Sequence, residues 1–372
     1  MEFDRTWILL GLPAAFALGW LASRLDLRQL RIENRRAPKA YFKGLNYLLN
    51  EQQDKAIDAF IDAVQTDPDT SELHFALGNL FRRRGEYERA VRVHEHLLSR
   101  ADLSRADGDR AQHALAMDFL KAGLLDRAES ALAKLEGTAF ETQARLARLA
   151  LYERTRDWAQ ASEIARRLEQ AEPGQFAPRL AHYLCEQASA LDDAAAQALL
   201  RQAMDLAPTA ARPRMDLAAR LQRQQRHAEA LNVLLQATED APAWVPLMAA
   251  PLADLARKAQ RQDEVRQRIA ELYAQQPCLD LMDALVALED DPAHARQRLL
   301  DHLQREPSLV AAAGWLAGEP QRTVLQRALD HAVRPLRRYR CAACGFEAKQ
   351  HFWQCPGCQA WDSYPARRVE EL

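Results

Sequence analysis

The sequence predicts an all-α protein, a stack of helical hairpins followed by a small metal-organised unit. Three observations carry that reading. From about residue 37 a pattern of small, aromatic and proline residues returns every 34 positions, so that Gly44, Tyr47, Ala56 and Ala63 step onto Gly78, Phe81, Ala90 and Leu97. Only 13 glycines stand in a chain of 372 residues that is 48% hydrophobic, which suits helices with short connections and not a glycine-rich α/β enzyme. Four of the six cysteines crowd into two CxxC pairs near the end of the sequence.

Before the repeats, Thr6 to Ser23 runs for 18 residues without a charge. As a helix it would be about 27 Å long, at the short end of a bilayer span. Trp7 and Trp20 lie near its two ends, where interfacial aromatics belong. A cleaved signal peptide is the competing reading, because Ala15-Phe16-Ala17 has the small-x-small form. The residues ahead of the run, Glu2, Asp4 and Arg5, lack the positive start that such peptides need. After the run come Arg24, Arg28, Arg31, Arg35, Arg36 and Lys39, an excess that puts the following chain on the cytosolic side and suits anionic head groups. The expectation is an uncleaved single-pass anchor over 1–23 with a basic juxtamembrane segment over 24–36.

The period and residue order that follow match the tetratricopeptide pattern. Gly44 and Ala56 are expected where two helices cross closely, Tyr47 and Phe60 beside that crossing, and Pro68 at the stop of the second helix. One hairpin cannot bury its apolar face alone, so neighbours must stack on it. A four-residue insertion near Ser104–Gly108 shifts the register of the third repeat, and in the fifth Gln187 stands where an aromatic is expected. Repeats are assigned over 37–279, the last of them degenerate, and two or three further helices are expected over 280–336. In such arrays the first helix of each pair lines the inner wall. The inner-wall positions that would meet a partner are Tyr41, Phe75, Asn79, Arg82, Arg83, Met117, Lys121, Arg154 and Arg223, with Glu153 beside them. Tyr41 and Phe75 occupy positions where a carboxylate clamp would need lysines, which argues against C-terminal carboxylates as the ligand.

At the end of the chain Cys341 and Cys344 are followed by Cys355 and Cys358. Two CxxC pairs at this separation form two tight turns that close a tetrahedral four-thiolate site for one metal ion, iron or zinc. Gly345 and Gly357 are expected to allow the tight backbone of those turns. Such a closed site leaves no position for a substrate. Phe346, Phe352, Trp353 and Trp361 are read as the core of this unit over 337–372, or its docking face.

Fifty basic against 52 acidic residues leave a net charge of −2, so no global field draws the chain onto nucleic acid. There is no glycine-rich phosphate loop, HExxH or GxSxG, and the carboxylate pairs Asp192-Asp193 and Asp290-Asp291 read as helix caps. Nothing in the sequence resembles catalytic machinery.

Anchor, basic collar, repeat array and tetracysteine unit, in that order, resemble the lipopolysaccharide assembly protein B family along the whole length. The resemblance implies a tetratricopeptide-repeat superhelix behind an N-terminal transmembrane helix, with a small C-terminal rubredoxin-like or zinc-ribbon metal domain. It implies Cys341, Cys344, Cys355 and Cys358 as the ligands of a rubredoxin-type site. It further implies an adaptor at the inner, cytoplasmic membrane, facing the cytoplasm, that promotes degradation of the LpxC deacetylase by the membrane protease FtsH beside other lipopolysaccharide assembly membrane proteins and membrane lipid. Two other classes remain open on the residues alone. One is an electron carrier with redox-active iron in the four-thiolate site. The other is a zinc-ribbon nucleic-acid binder using Arg337, Arg338, Arg340, Arg367 and Arg368.

Overall fold

The computed structural model describes Phe16, Trp20 and residues 42–66, 70–317 and 323–372. Among the described residues no helix is long and apolar enough to cross a membrane. The expected anchor, apart from Phe16 and Trp20, lies outside them, as do the basic segment and Tyr41.

Two compact units divide the chain, Met1–Leu151 and Tyr152–Leu372. The first holds α1 (42–49), α2 (Gln53–Thr66), α3 (Ser71–Arg83), α4 (Tyr87–Leu98), α5 (Arg105–Ala122), α6 (Leu125–Ala133) and most of α7 (Glu141–Thr155). The second holds the end of α7, then α8 (Trp158–Ala171), α9 (Ala177–Ser189), α10 (Asp193–Leu206), α11 (Ala211–Arg223), α12 (His227–Asp240), α13 (Val245–Ala259) and α14 (Gln262–Gln275). Among the described residues four more helices follow where two or three were expected: α15 (Leu279–Leu288), α16 (Pro292–Arg305), α17 (Leu309–Leu316) and α18 (Thr323–Leu336). Their short, proline-punctuated segments hide the hairpin period, but buried Leu279, Met282, Leu299, Val310 and Val333 give them a common core. The strands β1 (Tyr339–Arg340) and β2 (Glu347–Ala348) close the chain's fold as an antiparallel pair.

The turn inside most hairpins repeats in atomic detail. A residue with positive φ ends the first helix, and the amide after it bonds back five residues: Gln52 to Tyr47, Glu86 to Phe81, Leu124 to Phe119, Asp157 to Tyr152, Arg226 to Leu221 and Arg261 to Ala256, each at 2.9 Å. This bond satisfies a carbonyl that the helix end would otherwise leave open. Gly85 and Gly123 take the left-handed position in two of these turns, whereas Glu51, Arg156, Gln225 and Gln260 take it in four. A non-glycine residue there costs roughly 1–2 kcal/mol, which the closed turn and the stacked helices offset. The insertion in the third repeat becomes extra helix: α5 has 18 residues against 13 for α3, and Ser104 caps it by accepting the Asp107 amide.

Close crossing explains the small residues. A Cβ on Gly44 would lie 2.8 Å from the Phe60 ring, and one on Gly78 would lie 2.4 Å from His94 Nε2. His94 thus sits one period after Phe60 and fills the same place with a polar ring. Its Nδ1 donates to buried Asp118 at 2.5 Å, and Asp118 also takes Arg82 at 2.9 Å. Arg82 donates further to the Ala114 carbonyl and to Asn79. Asp118→Ala should therefore destabilise the first unit by about 3 kcal/mol, because it strands the buried His94 Nδ1 and takes one of the acceptors of half-buried Arg82. Urea unfolding of the variant checks this, and a loss below about 1 kcal/mol would mean the three groups do not act together.

Candidate metal centre

The strand pair β1–β2 places the first cysteine turn, and a matching turn follows it. In the first, the Gly345 amide bonds to the Cys341 carbonyl at 2.9 Å and the Cys341 amide to the Phe346 carbonyl at 2.9 Å. In the second, Gln359 bonds to Cys355 at 2.8 Å and Cys355 to Ala360 at 2.9 Å. The left-handed residues of the two turns are Gly345 (φ 78°) and Gln359 (φ 61°). Gly357 is not one of them. It lies against Phe346 and Cys344 instead, where an added Cβ would make ordinary contact at 3.4–3.5 Å.

All four sulfurs lie within 4.8 Å of one another, with Cys341 3.8 Å from Cys358 and Cys344 3.7 Å from Cys355. Sulfurs at about 2.3 Å from a tetrahedral centre stand about 3.8 Å apart, so the donor set fits one four-coordinate ion. Cys341 and Cys355 are buried while Cys344 and Cys358 are exposed. Burial opposes ionisation of Cys341, but the Ser363 hydroxyl and the amides of Cys344 and Ala343 outweigh it, and its thiol falls to about 6. The Phe346 amide favours a Cys344 thiolate, yet burial and the three neighbouring cysteines push that thiol up to about 12. Four sulfurs this close ionise together only around a cation.

The aromatic side chains of this unit face two ways. Tyr339 and Tyr364 pack with Cys341 and Cys355 in its interior, with Phe352 beside them. Trp361 and Trp353 pack outward onto helices of the second unit. Trp361 stacks on His182 with centroids 4.8 Å apart and meets Tyr183 and Trp158 edge-on, while Trp353 leans on Trp244 at 5.1 Å. Trp361 Nε1 donates to Glu153 at 2.9 Å, and the same carboxylate takes Arg179 at 2.6 Å and the Tyr183 hydroxyl. Burial, and then the charge of Glu153, push the Tyr183 phenol well above its usual range, so it stays a donor. Asp362 receives His182 Nε2 at 2.9 Å.

Residues 368–371 form a strap from the cysteine unit to the last helices. Arg368 lies over the Tyr339 ring and pairs with Asp280 at 2.6 Å, and the Val369 amide bonds to the Arg338 carbonyl at 2.8 Å. Glu370 accepts the Leu309 amide at 2.6 Å and the Ser308 hydroxyl at 2.8 Å, at the start of α17. Glu371 accepts the Leu279 amide at 2.9 Å, at the start of α15. Carboxylates at helix N-termini satisfy open amides and the dipole together.

Of the inner-wall residues, Phe75 is corrected: it is 1% exposed and packs with Leu97 and Ala111, because its helix turns that position into the repeat interface. Arg82 and Asn79 belong to the Asp118 network. Met117 is half-buried, and Arg83, Lys121, Arg154 and Arg223 are exposed. Glu153 does face inward, toward the cysteine unit. Arg337, Arg338, Arg340 and Arg368 pair with Asp283, Glu347 and Asp280, so four of the five cations of the nucleic-acid reading are already engaged.

Residues 339–364 match a family profile described as a rubredoxin metal binding domain. Over 98% of its length the chain is 31% identical to lipopolysaccharide assembly protein B of Escherichia coli strain K12, covering 99% of that protein. It is 26% identical to the protein of that name from Haemophilus influenzae, over 96% of each. A tetratricopeptide repeat protein from Parabacteroides merdae superposes with a TM-score of 0.36 at 11% identity, over 68% of this chain and 98% of that one.

Proposed function

This chain belongs to the lipopolysaccharide assembly protein B family, and from that premise we propose that it is a non-enzymatic adaptor in the control of lipopolysaccharide synthesis. In this reading residues 1–23 tether it to the inner membrane, the repeats face the cytoplasm, and residues 337–372 hold one iron or zinc ion through Cys341, Cys344, Cys355 and Cys358. The adaptor presents the LpxC deacetylase to an FtsH-type membrane protease, beside other lipopolysaccharide assembly membrane proteins and membrane lipid, and tethering raises the local concentration of one partner for the other. The observation that carries it is the setting of the four-cysteine unit. Its outward tryptophans are bound into the helices through Glu153 and His182, so the unit supports a surface, and a site closed by four protein ligands offers no place for a substrate.

The exposure of Cys344 and Cys358 favours a second reading, an electron carrier that passes charge through those sulfurs. One experiment separates the two. Proteolysis of the deacetylase is reconstituted in membranes containing the protease, with the chain filled by zinc or by iron. Both forms are expected to shorten the deacetylase's half-life equally, since zinc offers no redox step. An active iron form beside an inactive zinc form would support electron transfer, and no effect of either form would remove the adaptor reading.

A further inference from the structure

Beside the second cysteine turn lies a cleft of about 500 Å³. Its helical wall carries Arg154, Arg156, Trp158 and Arg212, and its other wall carries Phe352 and Trp353. A cleft of that size, with charged groups set among aromatic side chains, has room for a short peptide segment.

The charges around it are compensated unevenly, the inner arginines paired and the rim arginines not. Glu153, the deepest acid, is already shared by Arg179, Tyr183 and Trp361. Glu186 is taken by Arg212 at 2.7 Å, and Asp216 lies 3.5 Å from the same guanidinium. Even so, Arg212 Nη1 is buried with no hydrogen-bond acceptor among the described residues. Arg154 and Arg156 are exposed at the rim, and neither forms an ion pair among the described residues. Arg156 sits at the left-handed residue of the turn between α7 and α8 (φ 59°), so its guanidinium springs from a fixed backbone. Three guanidinium groups with spare donors thus surround an aromatic floor, next to a turn held by the metal ligands.

We propose that this cleft binds an acidic segment of a partner protein, its carboxylates on Arg154, Arg156 and Arg212 and an apolar side chain on Trp158, Phe352 and Trp353. Guanidinium groups bind carboxylates through paired donors, and aromatic walls reward an apolar neighbour. A nucleic acid is disfavoured because the arginines at the other end of this unit are already paired with Glu347 and with Asp280 of α15. The inference deepens the adaptor reading and rests on it for the source of the segment.

The test is a fluorescence anisotropy titration of the metal-replete full chain. The probes are a labelled peptide of alternating glutamate and phenylalanine and a control with glutamine for glutamate. The acidic peptide should bind, and R154E/R156E should weaken it by about tenfold or more, while the exposed positions leave the far-UV spectrum unchanged. Equal binding of the neutral peptide, unchanged affinity in the variant, or full competition by equimolar inorganic phosphate would overturn the proposal. So would self-association that the variant abolishes, since the occupant would then be a second copy. In the reconstituted proteolysis, R154E/R156E should slow turnover of the deacetylase. Turnover that the chain drives and the variant leaves intact sinks the cleft alone, whereas a chain inert in turnover that binds the acidic peptide sinks the adaptor reading alone.

Discussion

Replacing Cys341 and Cys344 together by serine is expected to unfold residues 339–372 and to loosen α15 and α17, which lie outside them. The local part follows from size. A unit whose interior is little more than Tyr339, Cys341, Cys355 and Tyr364 has too small a core to stand alone. Four-ligand zinc sites contribute about 10–16 kcal/mol to the folding of comparable peptides, so losing two ligands removes more than the remaining contacts supply. The distant part follows from the strap. Once Tyr339 and Arg338 are no longer held, Arg368 and Val369 lose their supports, and Glu370 and Glu371 leave the starts of α17 and α15. Each lost cap costs its helix about 0.5–2 kcal/mol. Hydrogen exchange should show amides at Leu279, Leu309 and Val310 speeding up along with those of the cysteine unit, while α3 and α4 stay protected. Fast exchange confined to 339–372 would show that the strap does not transmit the loss.

Gly78→Leu should destabilise the first unit by more than about 3 kcal/mol, enough to broaden or abolish cooperative urea unfolding. The added carbon meets His94 Nε2 at 2.4 Å and Cε1 at 2.5 Å. An aromatic ring held only by packing could tilt away, but His94 is tied to Asp118, and Asp118 to Arg82. The helix pair must therefore separate or the buried ion network must break. Gly78→Ala gains about 1 kcal/mol of helix propensity and still loses overall, because its Cβ alone makes the clash. Unfolding as stable as the unsubstituted chain would mean that α3 and α4 cross elsewhere.

What could be read from the sequence and what could not divide along physical lines. Gly44, Gly78, Ala56 and Ala90 are visible because a close crossing repeats the same demand for a small side chain in each hairpin. Asp192 and Asp291 are legible as caps because capping is local, and each does accept an amide of the first helical turn. The four cysteines are legible because their sulfur chemistry and spacing tolerate few other uses. His94 is harder: stepping 34 from Phe60 lands on it, but its partner Asp118 lies in the next repeat and follows no period. Phe75 fails because the inner wall and the repeat interface differ by about one helical position. Glu51, Arg156, Gln225 and Gln260 carry no turn signature, since a hydrogen bond five residues back, and not their chemistry, holds them left-handed. Trp361 and Glu153 are 208 residues apart, so nothing short of the fold brings them together.

The strap also bears on how the chain is made. Glu370 and Glu371 cap helices that begin 61 and 92 residues earlier. On a ribosome adding about 5–20 residues per second, α15 and α17 emerge seconds before the groups that complete them. Throughout that interval the nascent chain carries two helices with open amides. A product that stalls or is clipped ahead of Glu370 keeps those helix starts open and offers frayed ends to any protease nearby. Synthesis through Glu371 and folding of the cysteine unit are thus read out at the same two helix starts.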